Sequence, residues 1–286
     1  MKRKDIKKLL IVLGLLLVIV GGVLVLLGII KKSNIVLYDG TTDLSSDKTY
    51  VFKGQLNVIE GAKDPDFQID TDSPVLVRNV EMVQYYKGEN GVRTVLANYP
   101  IESFEDNGTE YNNPAFPDDV TTKIFYGTVT LDKDNHVLDG NALKPLSANE
   151  YEFFDKAIEK ETITELPEEA GNRYNLTYHD DAYVTASDEW SIGEIKVTFL
   201  KVRKDSLDDF TVAGKLTSDG KITPVNSKKG IPLVFNHDVS INEINSLIYG
   251  RQIINYCLIG LGILICVIGL LMKKGRTGKN ITKESL

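Results

Sequence analysis

The apolar positions of this chain fall into three patterns. From Leu9 to Ile30 they run through 22 residues without a charge, and from Ile253 to Met272 through 20 residues interrupted only by Asn255, Tyr256, two cysteines and glycines. At about 1.5 Å of rise per residue the first run spans about 33 Å as a helix, the thickness of a bilayer's hydrocarbon layer. Transmembrane helices are therefore expected at 9–30 and 253–272. The first is read as an uncleaved anchor, because it is longer than a signal peptide's core and Lys31 and Lys32 stand where a cleavage site would follow.

Between the two runs the period changes to two. In "YVFKGQLNV" Tyr50, Phe52, Leu56 and Val58 alternate with Val51, Lys53, Gln55 and Asn57; in "GEIKVTFLKV" Ile195, Val197 and Phe199 oppose Glu194, Lys196 and Thr198. "KIFYGTVTL", "DFTVAGKL" and "RYNLTYH" extend the set of half-buried strands. A helix is expected over "SANEYEFFDKAIEKE", where Ser147 and Glu150 form a capping box and Tyr151, Phe154 and Ile158 share a face. A weaker one runs from about His237 to Ile248, while "GAKDPDF", "NGTEYNNPAFPDD" and "ELPEEAGN" carry turn chemistry. The expected fold is mainly β with one or two helices, an antiparallel β-rich extracytoplasmic domain at 31–250 between two transmembrane α-helices. "FYGTVTLDKDNHVL" and "TVAGKLTSDGKITPV" match at a Gly, an aliphatic residue, a Thr and an Asp, as an internal duplication or any two strand-turn-strand units would.

Charge assigns the sides. The segments 1–8 and 273–286 are basic, through Lys2, Arg3, Lys4, Lys7 and Lys8 at one end and Lys273, Lys274 and Arg276 at the other, which places both termini in the cytoplasm. Tyr249 and Tyr256 suit the opposite interface. From Ser33 to Gly250 the chain has 38 acidic and 20 basic residues, a net charge of −18, which disfavours nucleic acid and anionic headgroups as partners of this region. Cys257 and Cys266 lie on opposite faces of the second apolar run and cannot bridge, so the domain between the runs has no disulfide framework and no thiolate.

Motifs of catalysis are weak throughout. His136, His179 and His237 stand apart from one another, and no zinc helix motif, phosphate-cradling loop or nucleophile elbow occurs. Asp132 and Asp134 imitate the start of a calcium loop, but Val137 replaces its glycine and Leu143 its bidentate glutamate. Asp64 and Asp66 flank Pro65 in a turn. In "PVLVRNVEMVQYYKGE" Arg78 and Glu81 are three apart in an extended strand and face opposite ways, so they cannot form one catalytic pair. Arg78 shares its face with Leu76, Val80, Met82 and Tyr86, and Glu81 with Val77, Asn79, Val83 and Tyr85, as in a central strand covered on both sides and kept in register by cross-strand ion pairs. No catalytic, cofactor-binding or metal residue is nominated, no cofactor is expected and the chain is read as not an enzyme.

"FKGQLNV", Asp64-Pro65-Asp66-Phe67, "LVRNVEMVQYY", "IESFEDNGTEYNNPAFP", "FYGTVTL", "IGEIKVTF" and "FTVAGKLTSDGKITPV" resemble, in order and spacing, the transmembrane protein 43 family, also called LUMA. The likeness covers roughly Tyr50 to Gly250. It implies an N-terminal span, a large luminal domain, cytoplasmic ends, association with itself and with nuclear-envelope proteins, and no established catalysis or cofactor. The chain departs from the family in having one span after the domain where three are usual, and its Lys-, Ile- and Asn-rich composition points to a bacterial cell membrane rather than a nuclear envelope. The expected function is a scaffold that recruits envelope proteins, with the lipid bilayer and such proteins as partners and room for a homo-oligomer. The rival is a membrane-anchored envelope hydrolase using distant carboxylates. A channel subunit is a third reading, disfavoured because the apolar runs hold no charge and no GxxxG face.

Overall fold

Uninterrupted apolar sequence at both ends and alternating sequence between them give helices and sheets respectively, in two compact units, 1–35 with 245–286 and 36–244. The computed structural model describes residues 3–32, 34–40, 44–118, 120–131, 136–148, 151–154, 158–185, 190–250 and 253–271. Asp132, Asp134, Glu150 and the basic stretch 273–286 lie outside the described residues.

In the helical unit, α1 covers Arg3–Lys32 and pairs with a second long helix, Ile253–Leu271. Both are long and apolar enough to cross a membrane, with 26 and 18 residues in the qualifying stretches. Their contact is built on glycine. A Cβ on Gly14 would lie 2.6 Å from the Gly262 carbonyl oxygen, and one on Gly262 would lie 2.7 Å from that of Gly14. One on Gly21 would meet Ile259 Cγ1 at 2.7 Å, and one on Gly269 would meet Ile11 Cγ1 at 3.0 Å. The glycines on each helix are seven apart, two turns, so they return to one face and let the backbones touch without a GxxxG spacing. Cys266 lies in this seam, its thiol 3.6 Å from the Ile11 carbonyl, while Cys257 is exposed. Lys7 Nζ donates to the Leu270 carbonyl at 3.2 Å, satisfying an acceptor that the helix end leaves open.

The β-rich unit is an assembly of short strands around one long one. In chain order they are β1 (Ile35–Leu37), β2 (Thr49–Gly54), β3 (Leu56–Glu60), β4 (Lys63–Asp64), β5 (Ile69–Asp70) and β6 (Val75–Gly88). There follow β7 (Gly91–Ala97), β8 (Phe104–Asp106), β9 (Thr109–Tyr111), β10 (Lys123–Tyr126), β11 (Thr128–Leu131) and β12 (His136–Val137). The last are β13 (Lys160–Thr162), β14 (Thr177–His179), β15 (Ala182–Val184), β16 (Ile195–Val202), β17 (Phe210–Leu216), β18 (Ile222–Pro224) and β19 (Val234–Phe235). A seven-stranded sheet runs β10-β6-β16-β15-β14, with β7 added to β6 and β13 to β16; a five-stranded sheet runs β1-β2-β17-β18 with β19 on β17; and β12-β11-β3 form a third. The pairings in the seven-stranded and third sheets, and those of β17 with β2, β18 and β19, are antiparallel.

The 14 residues of β6 are central, and the two cores explain the alternation read in its sequence. Leu76 and Val80 enter one core with Phe67, Val197 and Phe199, whereas Val75 and Val77 turn toward the other, with Phe52, Leu131 and Phe210. The matching segments at Gly127 and Gly214 sit in different sheets. What they share is the need for no side chain: a Cβ would come within 2.2 Å of the Glu60 carbonyl at the first and 2.5 Å of Ile222 at the second.

Three expectations change. The helix over 147–161 is not formed among the described residues: the helical turn is α2, Lys144–Ser147, Ala148 is already extended, and Lys160–Thr162 is strand β13 against β16. Phe154, whose N–H closes a turn on the Tyr151 carbonyl, and Ile158 still reach the core, so tertiary burial overrides the local period. The expected turn and strand over "ELPEEAGN" and "RYNLTYH" contain α3, Glu168–Tyr174, which has Glu168 and Glu169 in its first turn, Arg173 in its last and left-handed Asn175 as C-cap. Only Thr177–His179 of the second segment is strand. The weaker helix does form, as α4, Ile241–Tyr249, capped by Ser240, whose hydroxyl accepts from Glu243 N–H; the second long helix is accordingly α5.

Candidate functional site

The most charged buried place in the β-rich unit is built around Arg78. Its side chain is fully buried on the face of β6 that also carries Leu76 and Val80. Its cross-strand neighbours are Lys123 and Phe199, neither an anion, so the expected cross-strand ion pair is not what holds it. The carboxylates come instead from the β4–β5 turn. Arg78 Nη1 donates to Asp64 Oδ1 and Oδ2 at 3.1 and 2.9 Å, Nη2 to Asp66 Oδ2 at 2.9 Å, and Nε to the Thr121 carbonyl at 2.9 Å. The guanidinium carbon lies 5.0 Å from the centre of the Phe67 ring and 5.5 Å from that of Phe125.

The turn is shaped for this. Asp64 Oδ1 also accepts from the Asp66 and Phe67 backbone N–H groups at 3.0 and 3.4 Å, folding the chain after Pro65, and Gln68 completes the reversal at φ +53°. Asp66 Oδ2 accepts in addition from Lys123 Nζ at 3.0 Å, which places an anion between the two cations that face each other across β6 and β10. Burial pushes the Asp64 carboxyl above its ordinary range against the pull of Arg78, whereas the hydrogen bonds from Lys123 and Arg78 hold Asp66 below it. The sequence reading found the turn and the strand but not their bond; an Arg in an apolar strand near an unexplained Asp pair was the available signal. Glu81 does pair across strands: it faces Lys196 in register, Oε2 to Nζ 3.9 Å.

Other motif residues also serve the frame. Gln84, fully buried, donates to the Tyr99 carbonyl at 2.9 Å and accepts from Ile101 N–H at 2.7 Å, tying down the segment after β7. Asn113 of "YNNPAFP" accepts from Tyr85 N–H and donates to its carbonyl, at 2.6 and 3.0 Å, so its amide replaces a strand along that edge of β6.

Among concave surfaces, a polar cleft of about 740 Å³ runs between residues 68–72 and 161–167. Asp70, Asp72, Glu161 and Glu165 line it with Lys201, whose ammonium sits 3.1 Å from Asp72 and 2.9 Å from Glu161. The hydrogen bond to Glu161 holds Lys201 above its ordinary range, and that from Lys201 holds Asp72 below its own. This cluster escaped the sequence reading because Asp72 and Lys201, which bond in it, are 129 residues apart.

The histidines do not converge. His136 lies against Tyr38 and Phe52, ring centres 4.9 and 5.7 Å away; His179 is exposed beside Asp180; His237 lies 5.9 Å from the Phe235 ring. Among the described residues no group of three or more His, Cys, Asp or Glu side chains is placed to hold a metal ion. Searches against protein-family models, curated proteins and solved structures return no match to this chain.

Proposed function

We propose that this chain is a membrane-anchored, non-catalytic scaffold of the transmembrane protein 43 type, with α1 and α5 crossing a bacterial cell membrane, both ends cytoplasmic, and the β-rich unit outside recruiting envelope proteins. One observation carries the reading: each guanidinium nitrogen of its most buried cation already has a partner, in Asp64, Asp66 or Thr121, so the fold itself engages Arg78. The segments that resemble the family support it as well, because Arg78, Gln84, Asn113 and Gly127 all hold the frame rather than line the cleft. Site-specific photo-crosslinking in living cells from positions on the β-rich unit should capture a recurring protein partner. Recovery of unrelated abundant neighbours alone would reject the reading.

The cleft raises a second reading, an envelope hydrolase with paired carboxylates. Such an enzyme needs one carboxyl raised enough to act as an acid while the other stays ionised. Here Lys201 pulls Asp72 the other way, which favours a cleft that stays anionic and suits a polar or cationic partner surface. Glu161→Gln would leave scaffold-dependent crosslinking intact, and loss of a hydrolytic activity in that variant would select the enzyme.

A further inference from the structure

We infer that the free edge of β7 is a docking edge for a second copy of this chain, forming a two-fold antiparallel strand pair centred on Thr94. The register identifies which backbone groups are available. β6 and β7 close through Gly88 opposite Gly91, and Tyr85 stands opposite Thr94. Tyr85 N–H points away from β7, to Asn113, and Val83 N–H points away as well, to the Glu194 carbonyl. In an antiparallel ladder the residues opposite them, Thr94 and Leu96, and by alternation Val92, turn their N–H and C=O groups outward. No partner for those groups is found among the described residues.

This edge lacks the usual protection. At seven residues it is longer than the margins β1 and β14, which have three each, and it holds no proline, bulge or lysine. Its one charge, Arg93, lies with its guanidinium carbon 5.5 Å from the centre of the Tyr86 ring.

The edge is also self-complementary. A two-fold axis at Thr94 sets Thr94 against Thr94 of the other copy and Val92 against Leu96, so about six backbone hydrogen bonds form and β-branched or apolar side chains meet on one face. Leu96 is 40% exposed in the single chain and gains cover in the pair. The acidity of the domain opposes the approach of two copies, so the pair tightens as salt rises. None of this depends on the scaffold reading, which partner capture tests separately.

The test uses the full chain in membranes with Cys257 and Cys266 replaced by alanine. Across the proposed axis the Thr94 Cα atoms would lie about 5.5 Å apart, within disulfide range, whereas position 93 or 95 would lie roughly 8 Å from its own copy, out of range. Oxidation should therefore yield a disulfide dimer from Thr94→Cys and not from Arg93→Cys or Val95→Cys. In the solubilised full chain, light scattering should give a dimer mass, and Thr94→Pro, which deletes an outward N–H but no bond to β6, should weaken it at least about tenfold. Equal crosslinking at all three positions, none at Thr94→Cys in folded protein, or a dimer indifferent to Thr94→Pro would overturn the proposal.

Discussion

The helical and β-rich units are held in opposite ways. In the first, side chains are removed where the backbones meet: Gly14 and Gly262 stand where a single carbon would overlap a carbonyl oxygen, and the rest of each helix turns outward. In the second, a long charged side chain is driven into the core and each of its guanidinium nitrogens is met, by two carboxylates and a carbonyl. The difference follows from what each unit can bury. A pair of apolar helices gains nothing from hydrophobic burial inside lipid and relies on close packing, whereas a sheet of short strands must fasten its turns to its centre. A glycine is thus as demanding a position in the first unit as an ion pair is in the second.

The largest effect should come from the ionic centre. Arg78→Leu leaves Asp64 buried without its counter-ion and should cost the β-rich unit about 3–5 kcal/mol, read by chemical unfolding, while the α1–α5 pairing persists. Next, Gly14→Leu should overpack the helical seam at about 1–3 kcal/mol. Its readout is thiol labelling by a lipid-soluble maleimide: Cys266 should react more slowly than exposed Cys257 in the natural chain, and the substitution should bring the two rates together. Gln84→Ala, which strands the Tyr99 carbonyl and the Ile101 N–H, should cost about 1–3 kcal/mol and loosen the segment after β7 by hydrogen exchange.

Acid should separate the units further. The Asp66 and Asp72 carboxyls are held below their ordinary range, so the unfolded chain takes up protons first as pH falls. Their contribution is complete above about pH 5 and lost progressively below about pH 4, as pH passes through the folded values. A pH series of unfolding midpoints should show that decline in the β-rich unit. The smallest effect belongs to Lys201→Ala, whose partners are largely solvated, at about 1 kcal/mol or less. A larger loss would mean the cleft is more tightly built than its exposure indicates.

How much of this was legible depends on range. The helical runs, the alternation of β6 and β16, the turn at Pro65 and the presence of α4 are local, and local period or turn chemistry specified them. The segment 147–161 misled because Tyr151, Phe154 and Ile158 fall at helical spacing, whereas Tyr151 and Phe154 bound a single turn and, of the three, Phe154 and Ile158 join the core. Arg78 was placed on the right strand and face, but its carboxylates stand 12 and 14 residues earlier in a separate turn, and no alternation rule reaches across that gap. The cleft is further still: Asp72 and Lys201 meet only once β5 has been laid near β16. The seam glycines were visible as residues, yet a search for a four-residue spacing passes over a seven-residue one.

The most direct test of the claim that the buried charges serve the fold is a double-mutant cycle on Arg78→Leu and Asp64→Leu in the full chain, followed by chemical unfolding. The account predicts that each single change destabilises strongly and that the double change recovers about 2 kcal/mol or more of the summed loss, because the apolar pair replaces a matched ionic one. Single changes within about 0.5 kcal/mol of the natural chain, with no coupling between them, would contradict it and leave the burial of Arg78 without a structural role.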